Sequence, residues 1–339
     1  MTSEQSVRAV VIGAGAWGTA LATVLCDGGH DVTIWAHEPE VALAIEKNHE
    51  NHVYLPGVTL PPGLRATSDL KAAVTGRELI VSVCPAQHLR RLTSQWMDHA
   101  RPDAMIVCAS KGIELGTGEL LSQVFDDVLP EQLRRRVLFL SGPSFAAEVS
   151  RGLPTVVVIA GEEEALAERV QHLFARPAFR TYRSTDVVGV EVGGALKNVM
   201  AIATGICDGM GLGNNARAAI INRGLIEITR MAVAMGADPL TMMGLAGMGD
   251  LVLTCTVDLS RNRSVGKALG AGRSLEEVLG GMPQVVEGVA TAKAAHKLAA
   301  RLGVSTPIID EVYAVLYEGA SIEGTVDRLM TRSLKREQV

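Results

Sequence analysis

No two cysteines of this 339-residue chain stand close enough in sequence to form a C-x-x-C pair. Cys26, Cys84, Cys108, Cys207 and Cys255 are isolated, without a histidine at metal-ligand spacing. This excludes a sequence-visible disulfide framework and a structural zinc site, predicts no metal, and suits a reducing cytoplasm with the thiols packed in cores. Basic tracts are also missing. Beyond Arg134-Arg135-Arg136, which reads as a solvated turn, no Lys/Arg-rich run occurs, and the formal net charge is -5. Such a balance gives a nucleic acid no electrostatic footprint. Between Ala9 and Cys26 there is no charged residue at all. Three glycines interrupt that run and no Lys/Arg-rich segment precedes it, so neither a membrane span nor a targeting signal is expected. No Pro- or Ser-rich linker, internal repeat or low-complexity tract is evident.

What is present begins inside the charge-free run. Val10, Val11 and Ile12 read as a strand entering Gly13, Gly15 and Gly18 in G-x-G-x-x-G spacing, and an Ala-rich helical pattern follows at once. Gly13 permits the turn, Gly15 lets backbone amides approach a pyrophosphate, and Gly18 lets the helix lie close on the strand. The helix N-terminus then faces the negative charge of a dinucleotide. A second strand, Asp31 to Trp35, ends at Ala36-His37, where such a fold reads the ribose. No carboxylate stands there. His37 can meet a 2′-phosphate while Glu38 comes slightly late, which tilts the expectation towards NADP(H), with NAD(H) still admitted.

Further strands are predicted at Glu78 to Val83, Ala104 to Ala109, Val137 to Leu140, Thr155 to Ala160 and Phe179 to Tyr182, with helical patterns between most of them. Short apolar strands alternating with helices imply an α/β N-terminal half, a Rossmann-type doubly wound and mainly parallel sheet. From about Asp186 the strand signal stops, and helical spacing of Gly, Ala, Met and Leu predicts an all-α C-terminal domain. The division expected is a dinucleotide-binding domain over 1–189 and a helical substrate-binding domain over 190–339, packed directly together.

Ligands of doubly wound sheets bind beyond the carboxyl ends of the strands. Two segments there stand out, Ser110-Lys-Gly-Ile-Glu114 and Ser141-Gly-Pro-Ser-Phe-Ala146. In the helical half, Lys197 interrupts an apolar stretch. Burial lowers a lysine's pKa towards values useful in proton transfer. Asp250, near Thr254 in an apolar segment, needs a partner, and Lys197 is a candidate. Leu259 to Ser264 places a guanidinium, an amide and hydroxyls at a helix start, a combination suited to phosphate. Gln284 to Gly288 is a polar turn before a helix expected over Val289 to Leu302.

Taken together, Gly-Ala-Gly-Ala-Trp-Gly18, Ser-Lys-Gly-Ile-Glu114, Ser-Gly-Pro-Ser-Phe-Ala146, Gly-Gly-Ala-Leu-Lys-Asn198, Gly-Met-Gly-Asp250, Ser-Arg-Asn-Arg263 and Val-Val-Glu-Gly288 span nearly the whole chain. In that order they resemble the bacterial-type NAD(P)-dependent sn-glycerol-3-phosphate dehydrogenases. The resemblance implies that Ala16, Trp17, His37, Tyr54, Lys111, Ala146, Arg261, Val285 and Glu287 contact the cofactor. It implies a small phosphorylated triose, dihydroxyacetone phosphate, held by Lys111, Gly142, Ser144, Lys197, Asp250, Ser260, Arg261 and Asn262. Lys197 would transfer the proton, with Lys111 and Asp250 as its catalytic companions. Relatives often carry Ser where this chain has Ala16, so one side-chain contact would be lost there. The resemblance also implies supply of glycerol phosphate for phospholipid synthesis in the cytoplasm, and it leaves a homodimer open. Two other readings compete: a relative of 6-phosphogluconate dehydrogenase, which would lack the combination of Lys111 with Ser260 to Asn262, and a non-catalytic NADP-sensing regulator, which would not need Lys197 and Asp250.

Overall fold

Branching at Cβ crowds a helix and packs well on a pleated surface, and the run Val10, Val11, Ile12 accordingly forms strand β1, Arg8–Ile12, with every residue after Arg8 buried. The computed structural model describes residues 6–282, 285–334 and 336–337. Gln284, the first residue of the polar turn expected before the late helix, lies outside them. The chain divides into two compact units, one made of the residues up to Ser110 with Leu121–Val187, the other of Lys111–Leu120 with the residues from Val188 onward.

The first unit is built on β1, β2 (Asp31–Trp35), β3 (Arg65–Thr67), β4 (Leu79–Ser82), β5 (Met105–Cys108), β6 (Val137–Ser141), β7 (Thr155–Ala160) and β8 (Phe179–Ser184). These lie in the order β8-β7-β6-β5-β4-β1-β2-β3. Within β1, Val10 is in register with Thr33 of β2 and with Ile80 of β4. The order reverses at β1, which makes the carboxyl end of that strand the switch point where such sheets open a crevice. All neighbouring pairs are parallel except β6 and β7. Only a four-residue helix, Ala146–Val149, lies between those two strands, where parallel neighbours are usually joined by a full crossover helix. Helix α1, Ala16–Asp27, buries Gly18 through Leu25. Helix α2, Pro39–Asn48, follows β2. Strand β3 and a small antiparallel pair, Glu50–Asn51 with Leu55–Thr59, were not expected from the sequence, since Pro56 and Gly57 disguise the pair.

In the second unit, helix α3, Val187–Gly209, is buried from Gly189 through Cys207. It is long and apolar enough to cross a membrane, yet 83% of its most apolar window is buried inside the protein, as in the core helix of a soluble domain. Helix α4, Gly213–Ala234, follows it, then α5, Asp250–Thr256, α6, Arg261–Gly270, and α7, Glu287–Leu302. Helices α3 and α6 touch through glycine. A Cβ on Gly205 would sit 2.2 Å from the Arg263 carbonyl oxygen, and one on Gly266 would sit 2.1 Å from that of Ile202. The buried Arg263 locks the same pair, donating from Nη2 to Asp208 Oδ2 at 2.7 Å and pairing with Asp258.

Residues 111–120 differ from the expected division. Instead of completing the first domain, this segment joins the apolar core of the second unit through the fully buried Ile113 and Leu120. Arg301 of α7 donates to the carbonyls of Thr117 and Gly118, each at 3.2 Å. Another feature invisible in sequence is Glu227 of α4. It is buried and accepts from the amides of Ile308 (2.8 Å) and Ile309 (3.2 Å) at the start of α8, Pro307–Tyr317. Burial pushes its carboxyl up to about 7, against the pull of the two amides.

Candidate active site

The glycine turn of the first unit owes its shape to two positions without side chains. Gly13 has φ +118°, and a Cβ there would lie 2.8 Å from the Val83 carbonyl oxygen; on Gly18 it would lie 1.9 Å from the Gly13 oxygen. Gly15 differs, since a Cβ there would meet nothing within 4 Å. Helix α1 begins at this turn with no side-chain cap and no acidic residue in its first turn. Its N-terminal amides and the positive end of its dipole are therefore left for an anion. Trp17 adds an indole Nε1 that is buried without a protein hydrogen-bond partner. Open space above Gly15, an uncapped helix start and an orphaned donor fit the pyrophosphate of a dinucleotide.

At the end of β2 the Gly13 amide donates to the Trp35 carbonyl at 3.0 Å. His37 is exposed, its ring tilted against Trp35 with centroids 6.0 Å apart. Glu38 occupies the N-cap of α2 without capping it through its side chain. Its Oε1 accepts instead from the Tyr54 hydroxyl at 3.0 Å. Beyond β6, Gly142 has φ +132° and Ser144 Oγ donates to the Gly142 carbonyl at 3.0 Å. Ala146 is the first residue of the short helix that follows.

The second unit assembles the charged candidates. Lys197 projects from the buried α3, and Asp250 opens α5 after a π-helical turn of Leu245–Gly249. Gly193 allows that approach, because a Cβ there would meet the Ala246 carbonyl oxygen at 2.5 Å. Lys197 Nζ donates to Asp250 Oδ1 at 2.5 Å and to Thr254 Oγ1 at 2.9 Å. Thr254 Oγ1 donates onward to the Asp250 carbonyl at 2.6 Å. Lys111 Nζ donates to the other carboxylate oxygen, Oδ2, at 2.7 Å. One buried carboxylate thus holds two ammonium groups, and the cluster carries a net positive charge. Burial lowers Lys197 to about 8, although Asp250 works in the opposite direction. For Asp250 burial acts to raise the carboxyl, but Lys111 and Lys197 together hold it below the usual carboxylate range.

The helix start read as a phosphate loop is formed at α6. Ser260 is buried at its N-cap and accepts from the Arg263 amide at 3.3 Å. Arg261 Nη1 donates to the Val285 carbonyl at 3.0 Å. Asn262 Nδ2 donates to Asn198 Oδ1 at 2.9 Å, and Asn262 Oδ1 accepts from the Gly288 amide at 2.9 Å. Glu287 begins α7, two residues earlier than the helix expected at Val289. Asn198 neighbours Lys197 in sequence, so this amide pair ties the helix that carries the buried lysine to the helix that carries Arg261. Sequence reasoning gave Asn198 no role, and it missed Arg263 and Asn51. Each is a polar residue at an ordinary position whose importance comes from a partner far along the chain.

Comparison with known proteins puts this geometry in a family. The model for the NAD-dependent glycerol-3-phosphate dehydrogenase N-terminus matches residues 8–167, and that for the C-terminus matches residues 186–327. A glycerol-3-phosphate dehydrogenase (NAD(P)+) of Geobacter sp. (strain M21) is 52% identical over 332 residues, covering 98% of this chain and 99% of its own. The enzyme of the same name from Geobacter sulfurreducens is 53% identical over 333 residues, covering 98% and 99%. Among solved structures, a glycerol-3-phosphate dehydrogenase from Coxiella burnetii superposes with a TM-score of 0.92 at 36% identity, covering 96% of this chain and 99% of that one. The chain belongs to the NAD-dependent glycerol-3-phosphate dehydrogenase family.

Proposed function

We propose that this protein catalyses the reversible reduction of dihydroxyacetone phosphate to sn-glycerol 3-phosphate with a nicotinamide dinucleotide. The observation that carries the reading is the buried Lys197–Asp250–Lys111 cluster in the unit that also holds the polar helix start at Arg261. Residues 1–189 are assigned mainly to the dinucleotide and 190–339 mainly to the substrate, and Lys111 belongs with the second unit. A bound reduced nicotinamide supplies the hydride. Gly13, Gly15, Ala16, Trp17, Gly18, His37, Tyr54, Lys111, Ala146, Arg261, Val285 and Glu287 would hold the dinucleotide.

As the substrate carbonyl is reduced, its oxygen gains the charge of an alkoxide. Lys197 and Lys111 are the donors for that charge, and Lys197 delivers the proton. A lysine with a pKa of about 8 is protonated at neutral pH and gives up its proton more readily than an ordinary lysine. Asp250 and Thr254 fix the ammonium. Arg261, Ser260 and Asn262 hold the phosphate, while Gly142 and Ser144 contact the remaining triose, so that binding energy remote from the reacting carbon orients it. Glycerol phosphate of this kind feeds phospholipid synthesis, and five cysteines with no disulfide among the described residues suit a cytoplasmic setting. A homodimer is the oligomer proposed. Because no carboxylate occupies Ala36-His37, NADPH is the preferred cofactor.

Oxidation of NADPH and of NADH, each measured with dihydroxyacetone phosphate and with other carbonyl compounds, tests the reading. Turnover should depend on dihydroxyacetone phosphate and be moderately faster with NADPH; turnover confined to a different carbonyl compound would overturn the substrate assignment. Arg261→Ala should raise the KM for dihydroxyacetone phosphate by about 10- to 100-fold, the loss expected for a hydrogen bond between charged groups. An unchanged KM would remove Arg261 from the phosphate site.

A further inference from the structure

The end of β2 holds a chain of polar contacts that reaches back to the glycine turn. Asn51 is buried in the small antiparallel pair. Its Nδ2 donates to the Ala14 carbonyl and to Thr19 Oγ1, both at 2.8 Å, while its Oδ1 accepts from the Tyr54 amide at 3.1 Å. Thr19 Oγ1 donates in turn to the Gly15 carbonyl at 3.0 Å. The loop bearing Tyr54 is therefore fastened to the glycine turn itself. From it the Tyr54 hydroxyl reaches Glu38 Oε1, the carboxylate next to His37. Glu38 is not spent on its own helix, whose first residue is Pro39, a residue without an N–H.

Resting on the dinucleotide reading above, we infer that the Tyr54–Glu38 pair, positioned by Asn51, sets the choice between a ribose 2′-hydroxyl and a 2′-phosphate. A free carboxylate at the end of this strand accepts from a 2′-hydroxyl and repels a 2′-phosphate. The Tyr54 bond takes up one oxygen of Glu38 and fixes the direction of the carboxylate, which removes that acceptor from the ribose and lets His37 meet the phosphate. Burial, and then Glu38 itself, push the Tyr54 hydroxyl above its ordinary value, so it stays protonated and remains a donor. The glycine turn that receives the pyrophosphate and the group that reads the ribose are thereby held at a fixed separation, through Asn51 on one side and the Gly13–Trp35 bond on the other.

The test is a double-mutant cycle read as the NADPH-to-NADH ratio, both in kcat/KM and in Kd from the fluorescence of the bound reduced dinucleotide. Tyr54→Phe should lower the ratio by about tenfold, the effect of one charge-assisted hydrogen bond. Glu38→Gln should raise it, and in the Glu38→Gln background Tyr54→Phe should no longer change it. Equal losses for both cofactors in Tyr54→Phe, or a fall in the ratio that persists without the Glu38 charge, would overturn the inference. The Kd arm separates the two proposals. Absent turnover of dihydroxyacetone phosphate with the expected Kd pattern would overturn the reaction assignment alone, and normal turnover with an unmoved ratio would overturn the selectivity device alone.

Discussion

Lys197→Met should lower the rate of carbonyl reduction by about 100-fold or more, the usual contribution of a positioned acid, while nucleotide affinity changes little. Methionine keeps most of the buried volume on α3, so the fold should survive and the loss should report on chemistry. The wild-type pH profile supplies a second readout. Reduction consumes the ammonium form, and burial has brought Lys197 down to about 8, so the rate of reduction should fall as pH rises through about 8. Oxidation of the alcohol needs the free amine and should rise over the same interval. In the methionine variant both inflections should disappear. Near-normal turnover, or inflections that remain in place, would remove Lys197 from the proton-transfer step.

Asp250→Asn should damage both stability and rate. Lys197 and Lys111 have side chains only 10% and 16% exposed, and Asp250 pairs with both. Breaking a buried ion pair by removing one partner costs about 3–5 kcal/mol, because the remaining charge is left uncompensated. Here two like charges would also be left facing each other. The variant can relieve this by releasing a proton from a lysine, so its residual reduction should lose activity at a lower pH than wild type, and its unfolding midpoint in denaturant should drop. Lys111→Met added to Asp250→Asn should restore part of that midpoint by removing the like-charge repulsion. Wild-type stability in Asp250→Asn would show that the carboxylate is not the charge partner of the lysines.

How much could be read beforehand depended on whether an anomaly was local. The core strands were legible because strands buried on both faces are continuous apolar runs; the expected Thr155 to Ala160 and Asp31 to Trp35 coincide with β7 and β2. Lys197 was conspicuous as a charge in an apolar helix, and its contact with Asp250 links two residues singled out for that reason. Glu227 is buried as deeply, but Arg223 and Arg230 on the same helix make its stretch look like an ordinary polar surface. Asn51 lies in strands too short and too rich in Pro and Gly to signal a sheet. The antiparallel step between β6 and β7 had at most a signal in the lack of a long helical pattern between them, whereas nothing near residues 111–120 announced partners so far along the chain.

That last segment bears on how the chain is made. Residues 111–120 are synthesised in the middle of the first unit, but Arg301, which holds Gly118, comes 183 residues later. At 5–20 residues per second, the partner emerges roughly 10–40 s after the segment it secures. Until the helices of the second unit follow, Ile113 and Leu120 lack the core they join, and the sheet must form around a loop that is still waiting. A fragment cut at residue 189 would carry the same exposed pair permanently. The first half is thus a separate unit in the finished fold without being a self-sufficient product of translation, and a dissected first half would need residues 111–120 shortened or made polar to remain soluble.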